Sequence, residues 1–144
     1  MSAIELFPAL GISASGLQAE RTRMEVAASN LSNAHSTGGA GGKVFRRQQV
    51  VFAAVFADSM NGESVPGGVR VEGICDDPRP LQEEYMPYSP AADKNGMVKL
   101  PNVSPIEEMI DMMTAARAYE ANLSAMRQSR DMARETISLG RGGA

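Results

Sequence analysis

Residues 10–31 read LGISASGLQAERTRMEVAASNL, and the spacing inside this stretch decides the fold. Leu10, Leu17, Met24 and Leu31 recur every seven residues, with Phe7, Ala14 and Ala28 flanking the line. Towards the other end Met109, Ala116, Leu123 and Ile137 repeat the pattern, and Met112, Tyr119, Met126 and Ala133 lie beside them. A strict seven-residue repeat keeps a narrow apolar seam on one side of a slightly underwound helix. Such a seam has to be covered by another helix, from the same chain or from a neighbour. Both stretches therefore point to assembly before catalysis. Arg130 falls on the second seam, where a buried unpaired charge is expensive, so an acidic partner or an open rim is expected there.

The first helix has two available starts. Ser2-x-x-Glu5 has the spacing of a capping box, while Pro8 suits a first turn and moves the start close to Phe7. The pattern then runs to about Asn33. Gly11 and Gly16 each cost up to ~1 kcal/mol relative to Ala, so the isolated helix is weak and calls for close packing or for order acquired on association. Ser29, Asn30, Ser32 and Asn33 offer side-chain hydrogen bonds that compete with helix. The second helix starts clearly at Ser104-Pro105-Ile106-Glu107, a capping Ser followed by Pro and then by Glu at the reciprocal position. Glu107, Glu108 and Asp111 early and Arg127, Arg130 and Arg134 late follow the macrodipole. Gly140 is the expected stop, giving roughly 54 Å at ~1.5 Å per residue.

Between the helices the period changes. Residues 35–42 form a Gly-rich loop. Residues 45–56 and 69–74 read as strands joined through Gly62, Pro66, Gly67 and Gly68. Residues 76–90 are proline-rich and extended, and Asn95-Gly96 marks a tight turn before a short strand over 97–100. The expected class is α+β: long N- and C-terminal helices packed as a coiled coil, with a small β-rich middle segment. The expected divisions are 1–35, 36–101 and 102–144.

The totals exclude several classes of function. A net charge of −3 over 144 residues gives no electrostatic case for nucleic acid. Ten Met and no Trp suit packed helix seams. No apolar run is long enough to cross a bilayer, and Met1-Ser2-Ala3-Ile4-Glu5 lacks the basic start of a cleavable signal, so composition alone suggests a cytoplasmic protein. The glycines before Lys43 miss the phosphate-loop spacing, and Val44 stands where Ser or Thr is needed. Cys75 and His35 lack a third orienting group and are too few for a metal site. Cys75 reads as a small buried hydrophobe, and His35 as a solvated loop residue. Asp76-Asp77 and Glu83-Glu84 read as solvated surface. The three Asn-x-Ser triplets read as chance. Arg46 and Arg47 offer a polar interface patch or a solvated strand entrance. No cofactor and no metal are expected.

The motifs are also recognisable together. Residues 27–34, Ala-Ala-Ser-Asn-Leu-Ser-Asn-Ala, precede a Ser/Thr/Gly loop and then Phe45-Arg46-Arg47-Gln48. This order resembles the N-terminal signature of the bacterial flagellar rod and hook proteins. Residues 95–103 and 116–122 look like the approach to the C-terminal helix, and its interior, in the basal-body rod family. The resemblance implies a structural subunit of the proximal rod, whose terminal helices form a coiled-coil inner shell in a torque-transmitting drive shaft. It implies flagellar type III export without cleavage and residence in the periplasmic span of the basal body, replacing the cytoplasmic expectation. The implied partners are copies of the chain, other rod subunits, basal-body adapter and MS-ring or export-gate components, and the export apparatus, with no nucleic acid and no membrane insertion. The family has no catalytic residues to carry over. The assembly interface expected from the seams and matching motifs comprises Leu10, Leu17, Met24, Leu31, Asn30, Asn33, Arg46 and Arg47. On the back helix it adds Met109, Met112, Ala116, Tyr119, Asn122, Leu123, Met126, Arg130 and Ile137. The alternatives are another rod component and, in a different class, a small cysteine hydrolase.

Overall fold

A computed structural model describes residues 8–38, 42–58 and 64–141. The capping box at Ser2 and Glu5, the flanking Phe7, and loop glycines Gly39, Gly41 and Gly62 lie outside the described residues. The element order is α1 (Pro8–Ser32), β1 (Gln48–Asp58), β2 (Ser64–Asp76), β3 (Gln82–Tyr85), β4 (Met97–Leu100) and α2 (Pro105–Arg141). The class is α+β, as expected.

Both helices follow their local chemistry. At the end of α1 the backbone N–H of Asn33 reaches Ser29 O at 3.1 Å, and its side-chain amide donates to the same carbonyl at 2.9 Å. Asn33 therefore closes the helix end through its backbone and side-chain amides. At the start of α2, Ser104 accepts Glu108 N–H through its carbonyl at 3.1 Å and Glu107 N–H through Oγ at a long 3.5 Å. Pro105 takes the first helical position, where its missing N–H is not required. The expected stop at Gly140 is not one: α2 continues to Arg141. Glycine costs a helix about 1 kcal/mol but does not forbid it, and no proline follows.

The strands pair as two two-stranded sheets, β1 with β2 and β3 with β4. The Gly67–Gly68 segment, expected as a connector, lies inside β2. The reason is a close approach to α1. Gly68 has φ of 132°, and a Cβ there would sit 2.4 Å from Ser15 Oγ. That hydroxyl accepts Val69 N–H at 3.1 Å and donates to Ile12 O at 2.7 Å. The stretch read as simply extended contains β3, which runs antiparallel to β4 with Gln82 opposite Leu100 and Tyr85 opposite Met97. Pro80 and Pro87 flank this strand outside its ladder, so neither removes a needed donor. The Asn95-Gly96 turn is present, with Gly96 at φ of 78°. Asp93 Oδ1 accepts Asn95 N–H at 2.8 Å and Met97 N–H at 2.9 Å. These two backbone donors lower the Asp93 pKa.

The chain divides into two compact units. One takes α1 up to Thr22, residues 52–72 and α2 from Ala115 onwards. Ala19 and Ala115 are its buried apolar residues among those described. Here a Cβ on Gly16 would meet the Asn122 amide nitrogen at 2.9 Å, so the glycine lets the two helix segments approach closely. The other takes residues 23–51 and 73–114. It buries Val26, Ala27, Ala34, Val98 and Val103 together with Asn30, Asp77, Asn102 and Glu108. In this unit Arg23 bonds Asp111 and Asn30 bonds Glu108, so the helix segments run antiparallel within one chain.

Gly68→Ala should destabilise the protein by about 1–3 kcal/mol in urea unfolding, the cost of a side chain forced into that backbone conformation and into Ser15. Gly73→Ala, with nothing within 4 Å of the added carbon, should stay within about 0.5 kcal/mol of the parent.

Candidate assembly interface

The helices show which of their faces are already covered. On α1 the fully buried side carries Ala19, Val26, Ala27 and Asn30. Leu10, Leu17, Met24 and Leu31 are only half-buried, and Ala14 and Ala28 are exposed. The seven-residue line is real, but the covered face lies beside it. Small side chains let another backbone come close, so the internal contact selects the alanine side and leaves the leucines at the margin.

On α2, Ala115 and Glu108 are fully buried. Met112, Ala116, Tyr119, Asn122, Leu123 and Met126 are half-buried, whereas Met109, Arg130 and Ile137 are exposed. Arg130 has an exposed acidic neighbour, Asp131, 3.3 Å from its guanidinium. In the first unit Ile12, Gly16, Ala19, Phe52 and Val69 line a mainly apolar groove of about 450 Å³.

Arg46 and Arg47 do not form an exposed patch. Both are half-buried and face into the second unit. Arg46 donates to the carbonyls of Asp77 and Arg79, each at 3.3 Å. Arg47 Nε donates to Glu108 Oε1 at 2.5 Å, and its Nη1 lies 3.4 Å from Asp77 Oδ2. Arg47 is drawn inward by two carboxylates that have almost no access to water, and Arg46 by two backbone carbonyls.

Asn30 is equally committed. Its Oδ1 accepts Gln48 N–H at 2.9 Å, and its amide donates to Gln48 O at 2.8 Å and to Glu108 Oε2 at 2.9 Å. It thereby acts as a strand partner for the first residue of β1. Asn102 plays a similar part, accepting Arg47 N–H at 2.8 Å and donating to Arg79 O at 3.0 Å.

Asp77, expected on solvated surface, is 1% exposed, while its neighbour Asp76 is exposed. Alternation along extended chain turns one carboxylate inward and the other out. Asp77 accepts from Arg79 N and Nε, both at 2.9 Å, and from Gln49 Nε2 at 2.8 Å. The Arg79 side chain, set against the cost of burial, holds the Asp77 carboxyl far below the usual range, and Asp77 in turn raises Arg79. Glu108 and Asp77 are the residues that sequence reasoning missed. The signal for Glu108 was its position: it shares one helical face with Met112 and Ala115, at spacings of four and seven.

Cys75, expected as a small buried residue, is exposed at the end of β2, and His35 is exposed as expected. Among the described residues, no cluster of three His, Cys, Asp or Glu side chains is placed to hold a metal ion. No helix among them is long and apolar enough to cross a membrane.

Glu108→Ala should cost about 3–5 kcal/mol in urea unfolding, because it leaves the half-buried Arg47 without its closest partner and the Asn30 amide without its acceptor. Replacing Arg47 and Glu108 together by Met should cost less than that single change, since Asn30 keeps Gln48 and Asp77 keeps Arg79 and Gln49. Asp77 also fixes an acid limit. Its folded pKa lies below the unfolded value of about 3.9, so its contribution is complete above that pH and is lost as pH falls through the depressed folded value. Acid titration of unfolding should show this loss in the parent, and Asp77→Asn should lack it while being less stable at neutral pH.

Residues 10–40 match the family described as Flagella basal body rod protein, and residues 94–139 match Flagellar basal body rod FlgEFG protein C-terminal. These spans contain the motifs at 27–34, 95–103 and 116–122. The chain is 40% identical over 129 residues to the flagellar basal-body rod protein FlgC of Salmonella typhimurium, covering 90% of this chain and 93% of the relative. It is 42% identical over 129 residues to the Agrobacterium fabrum FlgC, covering 89% and 90%. Against the Bacillus subtilis FlgC it is 35% identical over 147 residues, covering 94% and 98%. The motifs, the two helices around a small β region, and identity along most of the chain agree: it belongs to the flagellar basal-body rod protein family, as a FlgC-like structural subunit of the proximal rod.

Proposed function

We propose that the chain builds the rod by self-assembly through its terminal helices, giving a shaft that carries motor torque. The observation that supports this reading is the apolar surface left after the helices have packed within the chain. Leu10, Leu17, Met24 and Leu31 remain half-covered, and Met109 and Ile137 stay exposed. Exposed apolar surface of this kind marks sites of association. Torsional stiffness needs many such contacts shared among subunits, because one helix pair twists easily and a ring of interlocked pairs resists.

In this reading residues 1–35 and 102–144 are the rod helices and 36–101 the connecting segment. The partners are copies of the chain and other rod subunits, together with adapter and MS-ring or export-gate components at the base. The chain reaches the periplasmic span through the flagellar type III apparatus without cleavage. The weak α1, with Gly11 and Gly16 in its interior, eases unfolding for transit. The role is structural, with no catalysis assigned to Cys75 or His35.

Leu17→Asp and Leu123→Asp should each lower recovery of the subunit in purified basal bodies at least tenfold and abolish swimming. Cys75→Ser should match the parent in both assays. Equal incorporation of all three variants would reject assembly through the helix seams.

A further inference from the structure

Among the described residues, Asn95 is the only asparagine followed by glycine; Asn30, Asn33, Asn102 and Asn122 precede Leu, Ala, Val and Leu. The fold itself demands the glycine. Gly96 has φ of 78°, and a Cβ there would sit 2.8 Å from Tyr85 Cε2 and 3.2 Å from Pro87 Cβ. Any other residue at 96 is opposed both by the left-handed backbone and by lack of space. Asn95 itself is exposed. A solvated asparagine amide beside glycine is chemically labile, because no side chain shields the glycine nitrogen that attacks it.

The turn withholds that nitrogen. Gly96 N–H donates to Asp93 O at 3.0 Å. Asp93 Oδ1 accepts Asn95 N–H at 2.8 Å and Met97 N–H at 2.9 Å, so one side chain fixes the backbone on both sides of the reactive pair. Gly96 O accepts Met86 N–H at 2.9 Å, and Met97 O accepts Asp93 N–H at 2.8 Å.

We propose that Asn95 is a site of spontaneous deamidation that the fold holds closed, with Asp93 as the residue that protects it. Reaction requires the 95–96 peptide to rotate until Gly96 N meets Asn95 Cγ, which breaks the bond to Asp93 O. The nitrogen then bonds to Cγ as the Cγ–Nδ2 bond breaks. Nδ2 leaves as ammonia, carrying the Gly96 proton through solvent, and a five-membered imide remains. Water opens the imide at either carbonyl. Opening at Cγ gives aspartate. Opening at the Asn95 main-chain carbonyl gives isoaspartate, whose main chain runs through Cβ and Cγ and is longer by one carbon. That carbon shifts Gly96 O from Met86 and Met97 O from Asp93, so the turn cannot close in its former shape. Conversion therefore records how often this hairpin has opened.

The test uses the full-length chain, incubated folded and in urea at mildly alkaline pH, with conversion at each asparagine read by peptide mass spectrometry. The sequence supplies its own standard, since Asn61 also precedes glycine; in urea the two should convert at similar rates. In the folded parent Asn95 should convert at least tenfold more slowly than in urea, a ratio that needs no variant. Asp93→Ala removes the Oδ1 acceptor and should speed conversion in the folded chain at least fivefold. Asp93→Asn keeps that oxygen and should stay within twofold of the parent, with circular dichroism showing that both variants are folded. An Asn95 that converts as fast folded as in urea, or stays unconverted in urea, would overturn the site. Equal acceleration by both substitutions, or none from Asp93→Ala, would overturn the protecting role of Asp93.

Discussion

The arrangement of the second unit depends on Glu108, a carboxylate 1% exposed on the covered face of α2. Taking an ionised carboxylate out of water costs several kcal/mol, and only well-placed donors offset it. Here Arg47 Nε and Asn30 Nδ2 each take one oxygen. Those two donors come from the start of the strand region and from α1, so one acidic side chain dictates how three segments meet. Asp77 repeats the device with Gln49 and Arg79 as donors, and Arg47 reaches towards both carboxylates. Apolar residues could slide by a turn and still be buried, but these hydrogen bonds form at one register.

This helps to explain what was legible in the sequence and what was not. The helices were readable because their signals are local: Pro8, the Ser104-Pro105 start and the seven-residue spacings all act within a few residues. The strands at 45–56 and 69–74 were readable from alternation. What failed was long-range. Gly67 and Gly68 looked like a linker because glycine usually is one, and nothing local announced that Ser15 would sit against residue 68. β3 was hidden by four nearby prolines, since its existence depends on β4 as a partner. Asp77 and Arg47 looked solvated because charged residues usually are. Their burial follows from meeting each other and Glu108 across 30 and 61 residues of sequence.

The seams show a subtler mismatch. The heptad line through Leu10, Leu17, Met24 and Leu31 gave the helix and its apolar side correctly, but could not say which neighbouring line would be covered within the chain. Packing chose the line of Ala19, Val26 and Ala27. A helix interface lined by small residues gains from close backbone approach what it lacks in side-chain area, and Gly16 against Asn122 shows how near that approach is. The larger side chains are thereby left to the margin.

That distribution is the reverse of the usual one for a self-sufficient domain. Ordinarily Leu, Ile and Met fill the centre and charged groups face water. Here alanines, valines and buried polar groups hold the centre, while Ile106, Ile110, Met113 and Ile137 are more than half exposed. A buried polar centre specifies one arrangement but contributes little surplus stability over an apolar one. The apolar area that would supply that surplus stays outside until another surface covers it. Assembly can then contribute hydrophobic stabilisation withheld from the single chain, at about 25 cal/mol per Å² of apolar surface removed from water. Specificity thus comes from the buried polar groups within the chain, and the large apolar side chains are left for whatever surface covers them.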